Sequence, residues 1–465
     1  MTAPETTTTV AGDRPLPATR PHTGSRPWWS GTTPVPTLRA AGLLAVLGVA
    51  SGVGPAAIGL WPPVLVVLTL VAVDAALAPA PWQVGLTREL PAVLPLEGSG
   101  EVVWRLDNPT NRGLTVAVAD ELTPSLGAVS RRFRIRLPAG GRGRARTALS
   151  PTRRGTFRPA EATVRVAGPL GLAVRQATRP LAGRIEVHPS FRSRNAAELR
   201  IRRARILEEG LRSVRGRGGG TEFEALRDYV QGDEFRHVDW SATARVGRPI
   251  VRTYRAERNQ TVVVLLDSGR VVAGLVGGVP RLDHGMDATL ALATVATHLG
   301  DRIGLVAFGA TVTKIVAPRR EVDQLRRLSA AMHALEPELA ESGYRDAFRT
   351  TLARFRRRAL LVVITELAAE AVQETLLPAL PLITREHAVV VASVRDPAVA
   401  AMRDRMPASP SEAYGAAAAA SVLKERAVAA ARLRAVGAQV VDAAPGQLAA
   451  ELADVYLDVK ARGRL

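Results

Sequence analysis

The sequence predicts a membrane helical hairpin, then a β-sandwich, then an α/β domain built on a doubly wound parallel sheet. Three observations support this prediction. A long stretch without charge lies near the start, short alternating strands fill the middle, and apolar strands alternate with helical patterns from about residue 259 onward. At 465 residues the chain is too long for one ordinary core, so two or three domains are expected.

The first 82 residues predict a tail followed by two membrane helices. Residues 1–36 are rich in Thr, Pro, Gly and Arg, which favours a disordered tail over a cleavable signal. No residue from Ala40 to Val73 is charged. A single helix of that length would reach roughly 50 Å against a hydrocarbon core of about 30 Å, so the segment 37–82 should fold back on itself. Gly54 and Pro55 favour the turn.

Arginine placement predicts the orientation of this hairpin. Arg14, Arg20, Arg26 and Arg39 precede it, and Arg88 follows it. By the positive-inside rule both termini should be cytoplasmic, which makes this a multi-pass protein of the cell membrane. The complete absence of cysteine fits a reducing compartment and excludes disulfides and thiolate chemistry.

The formal charge of +19 comes almost entirely from arginine and suggests either nucleic acid or an anionic membrane surface as partner. Aromatic residues make up only 4% of the chain, and no basic helix carries interleaved stacking residues. We therefore expect a lipid bilayer and no nucleic acid as partner. An arginine-rich and alanine-rich composition is also what a GC-rich genome produces.

Residues 86–189 predict an antiparallel β-sandwich of the immunoglobulin or fibronectin kind. Their short alternating runs are separated by Gly, Pro and Asn, and Asn108-Pro109 and Gly140-Gly141 are natural turns. The alternating arginines of two runs are interpreted as solvated strand faces, in preference to an anion-binding surface. They are Arg134, Arg136, Arg144 and Arg146.

Residues 259–465 predict the α/β domain, because β-branched and leucine runs typical of buried parallel strands alternate with helical patterns. The predicted strands are 261–266, 303–308, 359–365, 388–394 and 439–442. The predicted helices are 286–299, 321–335, 344–356, 369–384 and 411–436. This alternation indicates a doubly wound parallel sheet.

The segment 190–258 is a connector that contains a dense motif, GGGTEFEALRDYVQGDEFRHVDWSATAR, from Gly218 to Arg245. This motif closely resembles the signature of the family called domain of unknown function 58 (DUF58). Shorter stretches of the chain are similar to the family as well. They are Arg154-Gly155, the run 169–172 (PLGL), the run 300–308 (GDRIGLVAF), Tyr456-Leu457 and the run 460–463 (KARG).

The resemblance implies a membrane hairpin, a β-sandwich and a von Willebrand factor type A-like domain. Proteins of this family typically occur beside MoxR-type AAA+ ATPases and transglutaminase-like membrane proteins, and no enzymatic reaction is established for them. We therefore expect a cytoplasmic-facing adaptor or scaffold that works with such an ATPase in envelope-related assembly or maturation, and not an enzyme. The alternatives are a Mg²⁺-dependent adhesion-type binding module and an uncharacterised envelope enzyme.

The metal site of type A domains is expected to be degenerate here. Asp267 and Ser268 stand at the end of the first predicted strand, but glycine and valine follow where serine hydroxyls would be needed. Glu366 occupies the position of a second aspartate, which moves its oxygen by one methylene, and Mg²⁺ tolerates such displacement poorly. We expect no cofactor, with Arg270 pairing with Asp267 or Glu366 instead of a cation.

The signature residues allow two main interpretations. Their charges either form an ion-pair network that fastens the connector to the α/β domain, with Phe235 and Trp240 as apolar pins, or present a docking surface for the partner. Hydrolytic chemistry by Glu222, Asp228 or Asp239 is a third, with no nucleophile at diagnostic spacing. Asp233 is expected to turn the chain and cap a short helix. The candidate interaction residues are Glu222, Phe223, Arg227, Asp228, Tyr229, Gly232, Asp233, Arg236, Asp239, Trp240 and Arg245.

Overall fold

The protein divides into two compact units, Met1–His188 and Pro189–Leu465. The computed structural model describes residues 33–53, 61–214, 222–231, 233–255, 260–321 and 323–462. Most of the predicted tail, the turn at Gly54-Pro55 and the glycine-rich stretch 216–220 lie outside these residues.

The first unit contains two apolar helices and eleven strands within the described residues. The helices are α1 (Leu38–Val53) and α2 (Trp61–Leu77). The strands are β1 (Thr33–Pro36), β2 (Gly85–Glu89), β3 (Val93–Pro95), β4 (Gly100–Asp107), β5 (Leu114–Asp120), β6 (Arg132–Leu137), β7 (Arg142–Leu149), β8 (Gly155–Phe157), β9 (Glu161–Ala167), β10 (Ala173–Pro180) and β11 (Ile185–His188).

These strands form sheets that share one hydrophobic core. The largest sheet has the order β1-β10-β9-β5-β6, and two three-stranded sheets have the orders β2-β4-β7 and β3-β11-β8. Strict alternation of buried and exposed side chains along β6 and β7 places one face of each strand in the core. The predicted arginines on these two strands all face solvent. Trp104 on β4 packs in the core against Phe133 on β6, with ring centroids 5.0 Å apart.

The two helices are apolar nearly all round. In the described residues one stretch, Val64–Gln83, is long and apolar enough to cross a membrane by length and composition, and the apolar part of the other, Leu38–Val49, is shorter. Most large apolar side chains on both helices are exposed, among them Val46, Val49, Leu65, Val66 and Leu68. A soluble core helix would bury such side chains.

The second unit alternates strands and helices. The strands are β12 (Glu222–Asp228), β13 (Ile250–Arg255), β14 (Thr261–Asp267), β15 (Leu275–Val276), β16 (Val279–Pro280), β17 (Arg302–Phe308), β18 (Val312–Arg319), β19 (Leu360–Ile364), β20 (Ala388–Val394) and β21 (Gln439–Ala443). The helices are α3 (Arg194–Val214), α4 (Trp240–Val246), α5 (Arg281–His298), α6 (Gln324–Met332), α7 (Tyr344–Arg354), α8 (Ala369–Ala371), α9 (Leu377–Ala379), α10 (Pro381–Thr384), α11 (Pro397–Asp404), α12 (Pro410–Ala435) and α13 (Leu448–Ala461).

A six-stranded sheet with the order β18-β17-β14-β19-β20-β21 forms the centre of this unit. Its hydrophobic residues divide into two clusters, one on each face, so helices cover the sheet on both sides. The coarse prediction of a β-rich region followed by an α/β region is therefore confirmed. The five predicted strands of this sheet pair in parallel, and the edge strand β18, which was not predicted, runs antiparallel to β17. Pro318 in β18 lacks an amide donor and is tolerated because this strand lies at the edge.

Four helices differ from the sequence prediction. α3, α11 and α13 were not anticipated, and the predicted helix 369–384 is broken by a π-helical turn at Val372–Leu376. The proline that begins α11 and the prolines at 378 and 381 interrupt the regular spacing on which helix prediction relies.

A buried carboxylate fastens α13 to the sheet. Asp301, directly before β17, is fully buried and accepts hydrogen bonds from the Tyr456 hydroxyl, the Lys460 ammonium and the Gln260 backbone amide. Three of the stretches that resemble the DUF58 family, 300–308, Tyr456-Leu457 and 460–463, thus meet at a single side chain. Their separation in sequence had concealed this connection.

We expect Asp301→Ala to destabilise the full-length protein by about 3–5 kcal/mol, because it leaves the Lys460 charge buried without its partner. Denaturant unfolding followed by circular dichroism measures the loss. The control is Asp323→Ala, which removes a solvent-exposed pair with Arg326 and should cost no more than about 1 kcal/mol. Equal stability of the two variants would contradict this account of α13.

Candidate functional site

Asp267 lies at the carboxyl end of β14, in the middle of the sheet. The apolar run of β14 pairs in parallel with β17 and β19, which places Asp267 opposite Phe308 and next to the end of β19. Its side chain is fully buried. Ligand sites of open α/β sheets lie at this edge, and the sequence had predicted that Asp267 lies there.

The Asp267 carboxylate accepts four hydrogen bonds from donors of the protein itself. Oδ1 accepts hydrogen bonds from the Ser342 hydroxyl at 2.7 Å and from the Gly269 amide at 2.8 Å. Oδ2 accepts from the Tyr344 hydroxyl at 2.8 Å and from the Thr365 hydroxyl at 2.6 Å. Both oxygens are therefore used by hydrogen bonds inside the fold, and sequence reasoning missed the three side-chain donors.

Burial and hydrogen bonding act in opposite directions on this group. Burial raises the pKa of Asp267, and the hydrogen bonds from Thr365, Gly269, Ser342 and Tyr344 partly offset that rise. The pKa of Tyr344 is raised well above its ordinary value by burial and by the adjacent carboxylate. Tyr344 consequently remains a neutral hydroxyl that can donate to Asp267.

The loop after Asp267 has no room for the serine that a metal-binding type A loop would contain. A Cβ atom at Gly269 would stand 2.2 Å from the Ser342 Oγ and 3.2 Å from the Asp267 Oδ1. Ser268 is turned away, because its hydroxyl donates to the Phe308 carbonyl at 3.0 Å. The glycine in this position is therefore required by the hydroxyl of Ser342.

Glu366, the second candidate metal ligand, is held by two arginines. It accepts hydrogen bonds from Arg281 at 2.7 Å and from Arg426, and Ser393 donates to it at 3.2 Å. Arg426 also binds Asp442 at 2.8 Å. Burial lowers the pKa of Arg426, but the hydrogen bonds and charges of Asp442 and Glu366 outweigh it and raise the pKa overall.

The predicted pairing of Arg270 with Asp267 or Glu366 is wrong. Arg270 instead reaches Glu341 at 3.1 Å on the surface. It lies in a 3-10 turn that carries its side chain outward, and both carboxylates obtain their donors elsewhere. Arg270 and Glu341 line a surface cleft together with Ser342 and Tyr344, the residues that cover Asp267.

The signature segment forms a hairpin of β12 and β13, which pair from Glu222 with Arg255 to Asp228 with Ile250. Ion pairs hold the connection between the two strands. Arg227 donates two hydrogen bonds of 2.7 Å to the Asp233 carboxylate, which also accepts a hydrogen bond from the Val230 amide at 2.9 Å. A second pair joins Asp228 to Arg248 at 3.1 Å.

The helix in this connection is capped by Asp239 and not by Asp233, contrary to the prediction. The Asp239 carboxylate accepts from the Ser241 and Ala242 amides at 3.0 Å each, and from Arg252 at 2.8 Å. The hydrogen bonds from Arg252 and from these amides lower the pKa of Asp239. Asp239 has an N-cap geometry that Asp233 lacks, since Asp233 lies before the 3-10 turn Phe235–His237.

Two aromatic residues of this segment, Phe235 and Trp240, face solvent. Phe235 is 71% exposed and Trp240 is 66% exposed, so the interpretation of both as apolar pins is wrong. The Tyr229 ring lies 5.9 Å from the Phe235 ring. Leu226, Val230 and Val246 are exposed as well. We call these five exposed apolar residues, Leu226, Val230, Phe235, Trp240 and Val246, the signature surface.

The remaining signature residues take smaller roles. Arg236 pairs with Glu234 on the surface, and the Arg245 guanidinium donates to the Ser241 carbonyl at 3.2 Å. Glu222 and Phe223 belong to β12, and Gly232 lies outside the described residues.

Residues 225–433 match the family described as Protein of unknown function DUF58. The predicted DUF58 resemblance is confirmed for this segment. The segment contains the signature hairpin from Ala225 onward and, at the carboxyl edge of the sheet, Asp267, Glu366 and Arg426. It ends before β21 and α13, which complete the unit.

The curated relatives are described as uncharacterized proteins. The proteins Mb1516 of Mycobacterium bovis and Rv1480 of Mycobacterium tuberculosis are each 27% identical to this chain over 185 residues, which is 39% of this chain. The matched region spans 56% of the length of these relatives.

Solved structures with detectable similarity are remote. A conserved hypothetical protein, BatB from Bacteroides thetaiotaomicron, is 13% identical with a TM-score of 0.28, and the match covers 44% of this chain and 100% of that one. The CARDB domain of PF1109 from Pyrococcus furiosus is 13% identical with a TM-score of 0.16, covering 23% of this chain and 95% of that one.

We expect Gly269→Ser to destabilise the protein by about 1–3 kcal/mol, because the new side chain displaces Ser342 from Asp267. Denaturant unfolding measures the effect. Gly415→Ser is the control, since a Cβ there meets only the Met402 sulfur at 3.7 Å. A Gly269→Ser protein as stable as the wild type, or one that Mg²⁺ stabilises, would contradict our description of this loop.

The raised pKa of Asp267 predicts a pH dependence with a definite sign. The folded state binds the proton more tightly than the unfolded state, whose pKa is near the ordinary 3.8. The stability from this group is present below pH 3.8 and is lost as the pH rises through the raised pKa. Relative to Asp267→Asn, the wild type should therefore become less stable as the pH rises. Unfolding both proteins over a pH series tests this, and a wild type that gains stability relative to Asp267→Asn as the pH rises would contradict it.

Proposed function

We propose that this protein is a membrane-anchored adaptor or scaffold whose α/β unit faces the cytoplasm and binds a protein partner through the signature surface. The observation that carries the proposal is the exposure of Phe235 and Trp240 within a segment fixed by ion pairs. Exposed aromatic side chains on a rigid support are the usual anchors of protein interfaces.

The signature surface is pre-organised for binding. Arg227 with Asp233, and Arg252 with Asp239, fix the segment that carries both aromatic residues. A surface that is already ordered loses less conformational entropy when a partner binds. Burying such large aromatic side chains against a partner would also supply most of the affinity in a small area.

Binding accounts for the carboxyl edge of the sheet better than catalysis does. A cation needs carboxylate oxygens with free lone pairs, and a general base needs an accessible one. Asp267 instead accepts four hydrogen bonds inside the fold, and Glu366 is neutralised by Arg281 and Arg426. These groups stabilise the unit and leave the signature surface as its interaction site.

We assign the α/β unit to the von Willebrand factor type A-like fold. In chain order the strands of its sheet are arranged 3-2-1-4-5-6, which is the doubly wound order. The antiparallel third strand lies at one edge, and helices cover both faces. The DUF58 match over residues 225–433 supports this assignment.

We assign α1 and α2 to a transmembrane hairpin. Their apolar side chains are exposed on most sides, which suits lipid chains as the surroundings. Arginines precede α1 and follow α2, so both ends of the hairpin are placed in the cytoplasm. The β-rich unit and the α/β unit are then on the same side of the membrane as a cytoplasmic ATPase.

The proposed partner is a MoxR-type AAA+ ATPase, as the DUF58 resemblance implies, in envelope-related assembly or maturation. Chemically, such a partner must offer apolar pockets that accept Phe235 and Trp240. Its identity rests on the family resemblance, whereas the binding site rests on the exposure of these side chains.

Replacement of either aromatic residue tests this proposal. We expect Phe235→Ser and Trp240→Ser each to weaken capture of the ATPase from detergent-solubilised membranes by about thirtyfold, corresponding to about 2 kcal/mol for an anchor residue. Quantitative pull-down with the full-length protein as bait, followed by mass spectrometry, gives the measurement.

The matched control is Tyr414→Ser, which removes an aromatic residue that is 80% exposed on α12. It should leave recovery unchanged. All variants should retain the wild-type unfolding transition, since the altered side chains pack against little of the core. Recovery that is unaffected by both signature substitutions would overturn the assigned binding site.

A further inference from the structure

One buried carboxylate joins the end of α2 to a turn of the β-rich unit. Asp74 is the single charged residue of α2 and is fully buried. It accepts hydrogen bonds from the backbone amides of Leu170 at 2.7 Å, Leu172 at 2.7 Å and Ala173 at 2.8 Å. A Cβ atom at Gly168 would stand 2.4 Å from its Oδ1, so the turn is shaped to receive it.

The start of α1 is attached to the same turn. The Thr37 amide donates to the Leu172 carbonyl at 2.9 Å, and the Thr37 hydroxyl donates to the Gly171 carbonyl at 2.8 Å. Strand β1 pairs with β10 so that Pro36 lies opposite Ala173. Both helices therefore leave the β-rich unit at the turn between β9 and β10.

The chain after α2 runs alongside strand β10 in the same direction, and both lead away from the apolar helices. Beyond Asp74, the Ala78 carbonyl accepts from Arg175 at 3.1 Å, and the Pro81 carbonyl accepts from Arg179 at 3.2 Å. Later residues of the chain thus meet later residues of β10. The turn 168–172 is consequently the part of the sheet that lies nearest to the apolar helices.

The charge-free stretch 40–73 ends at the level of the turn 168–172. Arg39 and Asp74 are the charged residues that bound it, and Asp74 is bonded to the turn. If α1 and α2 span the membrane, the hydrocarbon region must end where these charges begin. Leu170, in the same turn whose backbone binds Asp74 and Thr37, is 52% exposed.

We propose that the turn 168–172 lies in the headgroup layer of the bilayer, with the Leu170 side chain inserted toward the acyl chains. The β-rich unit then sits directly on the lipid surface, without a stalk. Trp82 is partly exposed nearby, with the Arg175 guanidinium 5.9 Å from its ring, and a tryptophan beside an arginine is typical of this layer. The proposal rests on the membrane hairpin of the proposed function.

The absence of cysteine from the sequence makes a site-specific test practical. Single-cysteine variants of the full-length protein are labelled with bimane and reconstituted in vesicles of phosphatidylcholine and phosphatidylglycerol. Quenching by a nitroxide lipid labelled near the headgroup reports contact with the bilayer, and quenching by iodide reports contact with water. Leu170→Cys is the test position.

Two further positions supply the controls. Leu65→Cys, on α2 and 66% exposed, should contact the acyl chains. Val129→Cys, 60% exposed, lies just before β6, which forms the opposite edge of the sheet and begins at the strand ends far from the turn. Its label should be quenched by iodide and not by the lipid.

We expect the label at position 170 to be quenched by the nitroxide lipid and shielded from iodide relative to position 129. Adding Asp74→Ala, which frees the turn, should reduce the quenching by lipid. If position 170 behaves like position 129 while position 65 contacts lipid, the turn 168–172 does not lie in the headgroup layer. The membrane hairpin is then still supported. If position 65 is also quenched only by iodide, the membrane hairpin itself fails.

Discussion

A carboxylate removed from water must have its oxygens occupied by donors, and this requirement governs the organisation of the whole protein. Asp267 is held by three hydroxyls and an amide at the centre of the sheet. Asp301 joins α13 to β17 through Tyr456 and Lys460. Asp74 joins α2 to the turn after β9. In each case the donors come from the chain itself.

The carboxyl edge of the sheet and the signature hairpin meet this requirement in different ways. At the carboxyl edge of the sheet Asp267 accepts hydrogen bonds from three hydroxyls and an amide, and Glu366 accepts them from Arg281 and Arg426. In the signature hairpin the charged residues pair with each other and leave Phe235 and Trp240 in solvent.

The sequence predicted the elements whose signal is local. The continuous apolar run of β14 and the dense charges of the signature segment were recognisable without any structure, and so was the position of Asp267. β18 was missed because an exposed edge strand containing Pro318 lacks that signal. The serine missing at position 269 was correctly noted, but its cause, the Ser342 hydroxyl, lies in a distant loop.

The partners of the buried carboxylates could not be predicted, because they are distant in sequence. Ser342 is 75 residues from Asp267, and Leu170 is 96 residues from Asp74. Arg426 reaches Glu366 from the middle of an alanine-rich helix, where a single arginine is indistinguishable from a solvated one. Only the tertiary fold brings such pairs together, and the erroneous assignment of Arg270 reflects this limit.

If donors of the protein itself satisfy the oxygens of Asp267, no lone pairs remain for a cation. Isothermal titration of Mg²⁺ or Mn²⁺ into the full-length protein in detergent, beside the Asp267→Ala variant, tests this. We expect the same heats of dilution for both proteins into the millimolar range. Micromolar binding by the wild type that Asp267→Ala abolishes would show that the Asp267 oxygens are available to a cation.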